Sequence, residues 1–159
     1  MKTNYKNFFY LSILLSSVFL FFQILYYSNF GFDQTDEGMA LTIINNPFPY
    51  IGNVSQYGFV YYPIFKFLDG DIVAFRQINY CITILFSFIL IFSSIRYLSK
   101  NIIISNSINS ILSFGLSVCL GVLFNDWLIT PNYNILVFQG LLIFLIGLNI
   151  NIFDQKKRW

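Results

Sequence analysis

Three acidic side chains stand close together directly after the first apolar run of this chain: Asp33, Asp36 and Glu37. A carboxylate can act as a general base towards a hydroxyl group, and carboxylate oxygens also hold divalent cations against phosphate groups. Charged residues on a protein surface are, however, most often only solvated. The cluster therefore leaves three interpretations open: a general base, a divalent-cation site, or a solvated surface.

The chain offers few other groups for catalysis. It contains no histidine, which excludes Ser-His-Asp triads, Cys-His pairs and zinc sites that use histidine. Cys81 and Cys119 both lie inside apolar runs, where a thiol usually packs as a small hydrophobic group. Carboxylates, hydroxyls, lysines and arginines remain. The net charge of +2 is too small, and the basic residues too scattered, for a nucleic-acid partner.

Composition places these residues in a membrane protein. The chain is 57% hydrophobic and 10% charged, whereas soluble domains carry about 25% charged residues. Four apolar runs are long enough to cross a bilayer, so we predict spans at about 8–27, 77–95, 108–125 and 135–153. Tyr26 and Tyr27 close the first run where a cleavable signal would carry small residues, which favours a retained anchor. We expect an all-α integral membrane fold, with residues 1–159 as one domain in the lipid bilayer.

Basic residues set the expected orientation, because lysine and arginine in short loops stay on the cytoplasmic side. Seven of the nine lie at the amino terminus, at the carboxy terminus or in the turn after the second run. Six of the seven acids lie in the two other connecting segments. We therefore predict a multi-pass protein with both termini in the cytoplasm and external loops at 28–76 and 126–134.

The first external loop should contain a short helix at 36–45. Apolar residues recur there at helical spacing, acids occupy the first turn, where the helix dipole favours them, and Asn46-Pro47 stops the pattern. We expect this helix to lie in the membrane surface, with Met39 and Ile43 towards lipid or the spans and Glu37 towards water. Aromatic and aliphatic residues make the rest of the loop too apolar to stay disordered.

The order of these features resembles the GT-C superfamily of membrane glycosyltransferases, which includes protein O-mannosyltransferases and lipid A aminoarabinose transferases. In that family the first external loop opens with an Asp-Glu or Asp-x-Asp motif after the first span. A surface helix, a proline-containing segment and an arginine near the second span follow. The matching residues here are Asp36-Glu37-Gly38, the predicted helix to Asn45, Asn46-Pro47-Phe48-Pro49 with residues 58–63, and Gly70-Asp71 before Arg76.

The resemblance implies transfer of a sugar from a polyprenyl-phosphate donor to an acceptor at the outer membrane face. Asp36 would be the general base, and Glu37 would orient the acceptor or help to hold a divalent cation. Arg76 would pair with the donor phosphate, for which a guanidinium is suited, and Asp126 is the expected acid of the second loop. From its residue type alone, Arg76 could equally be an interfacial anchor, and Lys66 fits that role better than phosphate binding.

Family members have eight or more spans, so the resemblance covers only the amino-terminal part of such an enzyme. The expectation is an amino-terminal module, with three alternatives open: it works alone, it pairs with a separately encoded carboxy-terminal half, or it is a truncated remnant. The alternative is a non-enzymatic membrane scaffold or assembly subunit, in which the external loop docks a partner. A transporter fragment is disfavoured because no ionisable residue lies deep in a predicted span.

Overall fold

The structure is a computed structural model of the chain and describes residues 2–31, 36–52, 55–99, 104–123 and 130–157. Within these ranges all regular structure is helical. In chain order the helices are α1 (Lys2–Tyr27), α2 (Asp36–Asn45), a short 3-10 helix (Phe48–Tyr50), α3 (Tyr57–Phe67), α4 (Ile72–Leu98), α5 (Asn106–Leu123) and α6 (Tyr133–Lys157).

Three helices have the length and apolar composition to cross a membrane: Tyr5–Tyr27 of α1, the whole of α4, and Tyr133–Ile150 of α6. Their mean hydropathy lies between 1.9 and 2.2, which indicates a multi-pass membrane protein. The remaining apolar helix, α5, is shorter. It occupies the predicted span at 108–125 as far as Leu123, and residues 124 and 125 lie outside the described ranges.

Two helices begin inside the predicted external loops: α4 starts at Ile72 and α6 at Tyr133, whereas the predicted spans begin at about 77 and 135. A helix can extend beyond the bilayer, so the bounds of the spans stay predictions. Asp71 begins α4: its carboxylate accepts hydrogen bonds from the backbone N–H groups of Val73 (2.9 Å) and Ala74 (3.0 Å). These are donors that the first turn of a helix otherwise leaves unsatisfied.

The four long helices pack in the spatial order α1, α5, α4, α6. Small residues of α5 allow the close packing on both sides. A side chain at Gly115 would meet Ser17 of α1 at 3.1 Å, and one at Gly121 would meet the Tyr80 ring of α4 at 2.6 Å. Ser117 and Ser113, one and two helical turns before Gly121, are fully buried. This small-residue seam at four-residue spacing is the pattern that membrane helices use for close approach.

The cap, defined as α2, the 3-10 helix and α3, packs at one end of the long helices. There α1 and α5 end, while α4 and α6 begin. At the opposite end, the Asn109 side-chain amide of α5 donates to the Phe92 carbonyl of α4 at 3.2 Å. The Asn149 amide of α6 donates to the Ser94 hydroxyl of α4 at 2.9 Å. Helices α4 and α5 are therefore antiparallel, whereas α1 runs parallel to α5 and α4 runs parallel to α6.

The cap has its own apolar core, formed by one face each of α2 and α3 against Phe75 of α4. Gly58 permits the contact between the two helices, since a Cβ there would lie 2.8 Å from the Ile43 side chain. The core residues are Ala40, Leu41, Ile43, Ile44, Tyr57, Tyr61, Phe65 and Phe75.

The helix predicted at 36–45 is present as α2, and its place on an external membrane surface stays a prediction. The expected facing of Glu37 is wrong: Glu37 is buried, whereas Met39 is 64% exposed. Glu37 precedes Leu41 by four residues and Ile44 by seven, so it lies at the centre of the buried helix face. Ile43, expected to face lipid or the spans, is buried in the cap core against Gly58 of α3.

Candidate functional site

Glu37 and Arg76 form a buried ion pair between α2 and α4. Their side chains are 2% and 7% exposed, respectively. Arg76 Nε donates to Glu37 Oε1 at 2.9 Å, and Nη2 donates to the same oxygen. The positive charge of Arg76 offsets the cost of burying the Glu37 carboxylate, because a buried charge is tolerated only when it is paired and hydrogen-bonded.

The remaining donors of Arg76 extend this pair to two further parts of the chain. Nη1 donates to the Ser28 carbonyl (2.9 Å) and Nη2 to the Gly31 carbonyl (2.8 Å), both just after α1. Nε also donates to Thr130 Oγ1 (2.8 Å), and the Thr130 hydroxyl in turn donates to Glu37. We call these five residues the Arg76 cluster. It joins the end of α1, the start of α2, α4 and the segment that leads into α6.

Arg76 lies where the chain leaves α1, bonded to two carbonyl groups that follow the helix. The helix dipole makes that end of α1 negative, which favours a positive charge there. A guanidinium supplies several donors in one plane and cannot be deprotonated under ordinary conditions, so it can satisfy carbonyls and a carboxylate together. Gly31 has a φ of +77°, a left-handed turn that glycine adopts without strain.

Asp36, next to Glu37, has a different environment. It is exposed at the start of α2 and lines an open cavity of about 440 Å³ between α2 and the start of α6. We call it the Asp36 cavity. Its lining combines a carboxylate, amides and a hydroxyl with two tyrosines and apolar groups: Asp36, Met39, Ala40, Ile43, Ser55, Tyr57, Asn132, Tyr133 and Asn134.

The aromatic and amide groups of the Asp36 cavity are held in defined positions. The rings of Tyr57 and Tyr133 lie 6.5 Å apart between centroids. Asn132 Oδ1 accepts hydrogen bonds from the backbone N–H groups of Asn134 (2.9 Å) and Ile135 (3.1 Å), which fixes the start of α6. Burial, with a smaller contribution from Tyr50, raises the pKa of Tyr57, which therefore remains a neutral hydroxyl.

Chemically, this lining suits a molecule with many hydroxyl groups. Carboxylates and amides bond hydroxyls, and tyrosine rings offer apolar faces. Asp36 is the acid of the predicted pair that could accept a proton from such a molecule. Among the residues that the structure describes, no three histidine, cysteine or acidic side chains come together as a metal site.

Of the predicted site residues, the structure thus brings Glu37 and Arg76 together but places Asp36 at a separate, open position. The guanidinium of Arg76 is engaged by protein acceptors, and its predicted contact with a donor phosphate stays a prediction. Asp126 and Asp33 lie outside the described residues. Thr130 was not predicted as a partner of Glu37. The one feature of the sequence that pointed to a role for Thr130 was its position in a predicted polar loop.

A second buried polar network holds the cap against the long helices. The Tyr61 hydroxyl of α3 donates to Gln139 Oε1 of α6 at 3.0 Å. Gln139 Nε2 donates to Asn79 Oδ1 and Thr83 Oγ1 of α4, both at 2.9 Å. Burial raises the pKa of Tyr61, so the hydroxyl keeps its proton for this bond. The network connects α3, α4 and α6 through side chains alone.

Comparisons of the chain with protein-family models, with curated proteins and with solved structures find no match. The resemblance to the GT-C superfamily therefore stays an expectation from the sequence. The geometry of the Asp36 cavity and of the Arg76 cluster is the basis on which a function can be proposed.

Proposed function

We propose that this chain is a GT-C-type glycosyltransferase module in which Asp36 is the general base. The observation that supports this most is the contrast between two adjacent acids. Asp36 is exposed at an open cavity with polar and aromatic lining, whereas Glu37 is buried in an ion pair. Pairs of carboxylates in different environments commonly take different roles in an active site.

In the proposed reaction, a hydroxyl oxygen of the acceptor attacks the anomeric carbon of the donor sugar. The bond between that carbon and the phosphate oxygen breaks, and polyprenyl phosphate leaves with the electron pair. Asp36 takes the proton of the attacking hydroxyl and later releases it to water. The direct displacement inverts the anomeric centre.

The proposal assigns a positioning role to the Arg76 cluster. It fixes the first turn of α2, and with it the Asp36 backbone, relative to α1, α4 and α6. A donor phosphate at Arg76 would have to replace the Ser28 or Gly31 carbonyl as the acceptor of an Nη proton. The polyprenyl-phosphate donor and a separately encoded carboxy-terminal half are the partners that the proposal implies.

The proposed topology has four spans, both termini in the cytoplasm and the cap outside. With 18 residues, α5 is about 27 Å long, close to the thickness of about 30 Å that a span must cover. It packs between α1 and α4, which are both long enough to cross. Lys6 and Arg96 lie at the end of the bundle opposite the cap, which is the cytoplasmic end by the distribution of basic residues.

The test is sugar transfer by the full chain in liposomes, assayed with a labelled synthetic polyprenyl-phosphate sugar and with native membrane extract as the source of acceptor and of any second half. Asp36→Asn keeps the shape of the side chain but cannot take the proton, so transfer should fall by about 10²- to 10⁴-fold. Asp69→Asn is the matched control, since Asp69 is also exposed on the cap side and its φ of +52° suits asparagine. Full transfer by Asp36→Asn would refute the assignment.

Chelation separates the two roles open to the carboxylate. Loss of transfer in EDTA, with recovery on adding Mg²⁺ or Mn²⁺, would assign Asp36 to cation binding, whereas transfer that persists in EDTA supports the general base.

A non-enzymatic membrane scaffold is the second candidate function. The observation that favours a scaffold is that Glu37 and Arg76, two of the predicted site residues, hold the helices together. In that case the wild-type chain would show no transfer under any of these conditions. Asp36→Asn would then leave recovery of a bound partner from solubilised membranes unchanged.

A further inference from the structure

Helix α3 is apolar on both of its sides. Its inner side, including Tyr61 and Phe65, belongs to the cap core. Its outer face, which we define as Phe59, Val60, Pro63 and Phe67, points away from that core, and Phe67 is 85% exposed. Lys66 is the one charged residue in the helix. A helix that is apolar all round is normally buried on all sides, either in protein or in a membrane.

The position of α3 brings this outer face to the level of the membrane-crossing helices. Phe67 is five residues before Ile72, the start of α4, so the two lie within about 17 Å of one another. On its inner side, Tyr61 bonds Gln139, which is six residues, or about 9 Å, along α6 from Tyr133. Helix α3 therefore lies beside the first turns of α4 and α6 rather than above them.

The surface of α6 next to the cap is already apolar and exposed. Leu136 packs against the cap core, and the adjacent Val137 is 70% exposed. Exposed apolar side chains are thus present on the outer face of α3 and also on the part of α6 that lies next to the cap core. Helix α2 is more polar on its exposed side: of its four exposed residues, Asp36, Thr42 and Asn45 are polar and only Met39 is apolar. The cap has one side suited to water and one suited to an apolar environment.

We propose that α3 is an interfacial helix whose outer face inserts into the boundary between the lipid headgroups and the acyl chains. The aromatic cluster beside this face fits that depth, with Phe48 packed edge-on against Phe59 and Tyr62 at 5.7 and 6.1 Å between ring centroids. The Lys66 ammonium lies 5.7 Å from the centre of the Tyr62 ring and reaches the headgroup layer from the same side. Tyrosine and lysine are typical anchors at this level.

Depth-dependent fluorescence quenching tests the proposal on the full chain in phosphatidylcholine bilayers. Trp127 and Trp159 are replaced by Phe, and one new tryptophan is introduced as Phe67→Trp, or as Thr42→Trp on α2 for a water-facing reference. Leu141→Trp, at an exposed position further along α6, serves as the lipid-facing reference. Quenchers are lipids brominated near the carbonyl end or in the middle of the acyl chain, and aqueous iodide.

Lipid brominated near the carbonyl end should quench the tryptophan fluorescence of Phe67→Trp at least twofold more strongly than that of Thr42→Trp. Iodide should quench Phe67→Trp less strongly than Thr42→Trp. A second probe on the outer face, Val60→Trp, should behave as Phe67→Trp does, which guards against a local effect of one substitution. Quenching of both probes as in Thr42→Trp would overturn the proposal. Protection of both from bromine and iodide alike would also overturn it, because a protein surface would then cover this face.

Discussion

Replacing Arg76 should destabilise the fold, and replacing Glu37 in the same chain should restore part of the lost stability. In Arg76→Met, the 2% exposed Glu37 side chain loses its guanidinium partner, and breaking a buried pair in this way costs about 3–5 kcal/mol. Glu37→Gln leaves the guanidinium bonded to Ser28, Gly31 and Thr130. It should therefore lower the free energy of unfolding by about 1.5–3 kcal/mol, the usual contribution of a hydrogen bond to a charged group.

The double variant distinguishes a coupled pair from two independent side chains. With both charges gone, no unpaired carboxylate remains buried, so Glu37→Gln added to Arg76→Met should recover about 1–3 kcal/mol. The measurement is the free energy of unfolding in lipid bicelles, followed by circular dichroism during denaturant titration. Arg96→Met is the matched control, since Arg96 is exposed near the end of α4 and its loss should change stability by less than about 0.5 kcal/mol.

Two results would refute this reasoning. If the losses of the two single variants simply add in the double variant, Glu37 and Arg76 are not coupled. If Arg76→Met costs no more than the Arg96→Met control, the cluster is solvated and the guanidinium is free for another role, such as the phosphate contact.

Further substitutions test the packing that positions the site, each measured by the same unfolding titration. Gly121→Ala should lower the free energy of unfolding by about 1–3 kcal/mol, because its Cβ would lie 2.6 Å from a tyrosine ring. Gly140→Ala, which has open space around it, should leave the free energy of unfolding unchanged. Equal effects of the two substitutions would contradict the proposed seam. Asp71→Ala should cost about 1 kcal/mol through loss of the cap of α4, and Asp71→Ser should retain most of that stability. Gln139→Leu should cost about 1–3 kcal/mol because the buried Tyr61 hydroxyl loses its acceptor, and an unchanged stability would mean that water replaces it.

The sequence predicted those parts of the fold whose signals are local. Long apolar runs predicted α1, α4 and α6, and acids followed by a helical pattern and Asn46-Pro47 predicted α2 with its observed bounds. The burial of Glu37 could not be predicted in this way. It depends on Arg76, 39 residues further along the chain, and on Thr130, 93 residues further along. Only the tertiary fold brings these three side chains together.

Helix α3 shows a second limit of local patterns. The sequence indicated only a proline-containing segment at residues 58–63, and no helix was predicted there; proline inside a helix removes a hydrogen bond and usually ends it. In the structure Gly58 and Pro63 are both helical, with Gly58 against α2 and Pro63 on the exposed side. An apolar residue at almost every position leaves no periodicity that would reveal which face is inside. The contact with Ile43, which requires glycine, is visible only once α2 and α3 are packed.

The adjacent acids allow the proposed catalytic role of Asp36 to be tested separately from the proposed positioning role of Glu37. Because Glu37 holds the start of α2 through Arg76, Glu37→Gln should lower stability and sugar transfer together, and transfer should recover under conditions that stabilise the fold. Asp36 is exposed, so Asp36→Asn should lower transfer by about 10²- to 10⁴-fold with little change in stability, and conditions that stabilise the fold should not restore transfer. If both substitutions lowered stability and transfer in parallel, Asp36 would be a further support of α2 rather than the base.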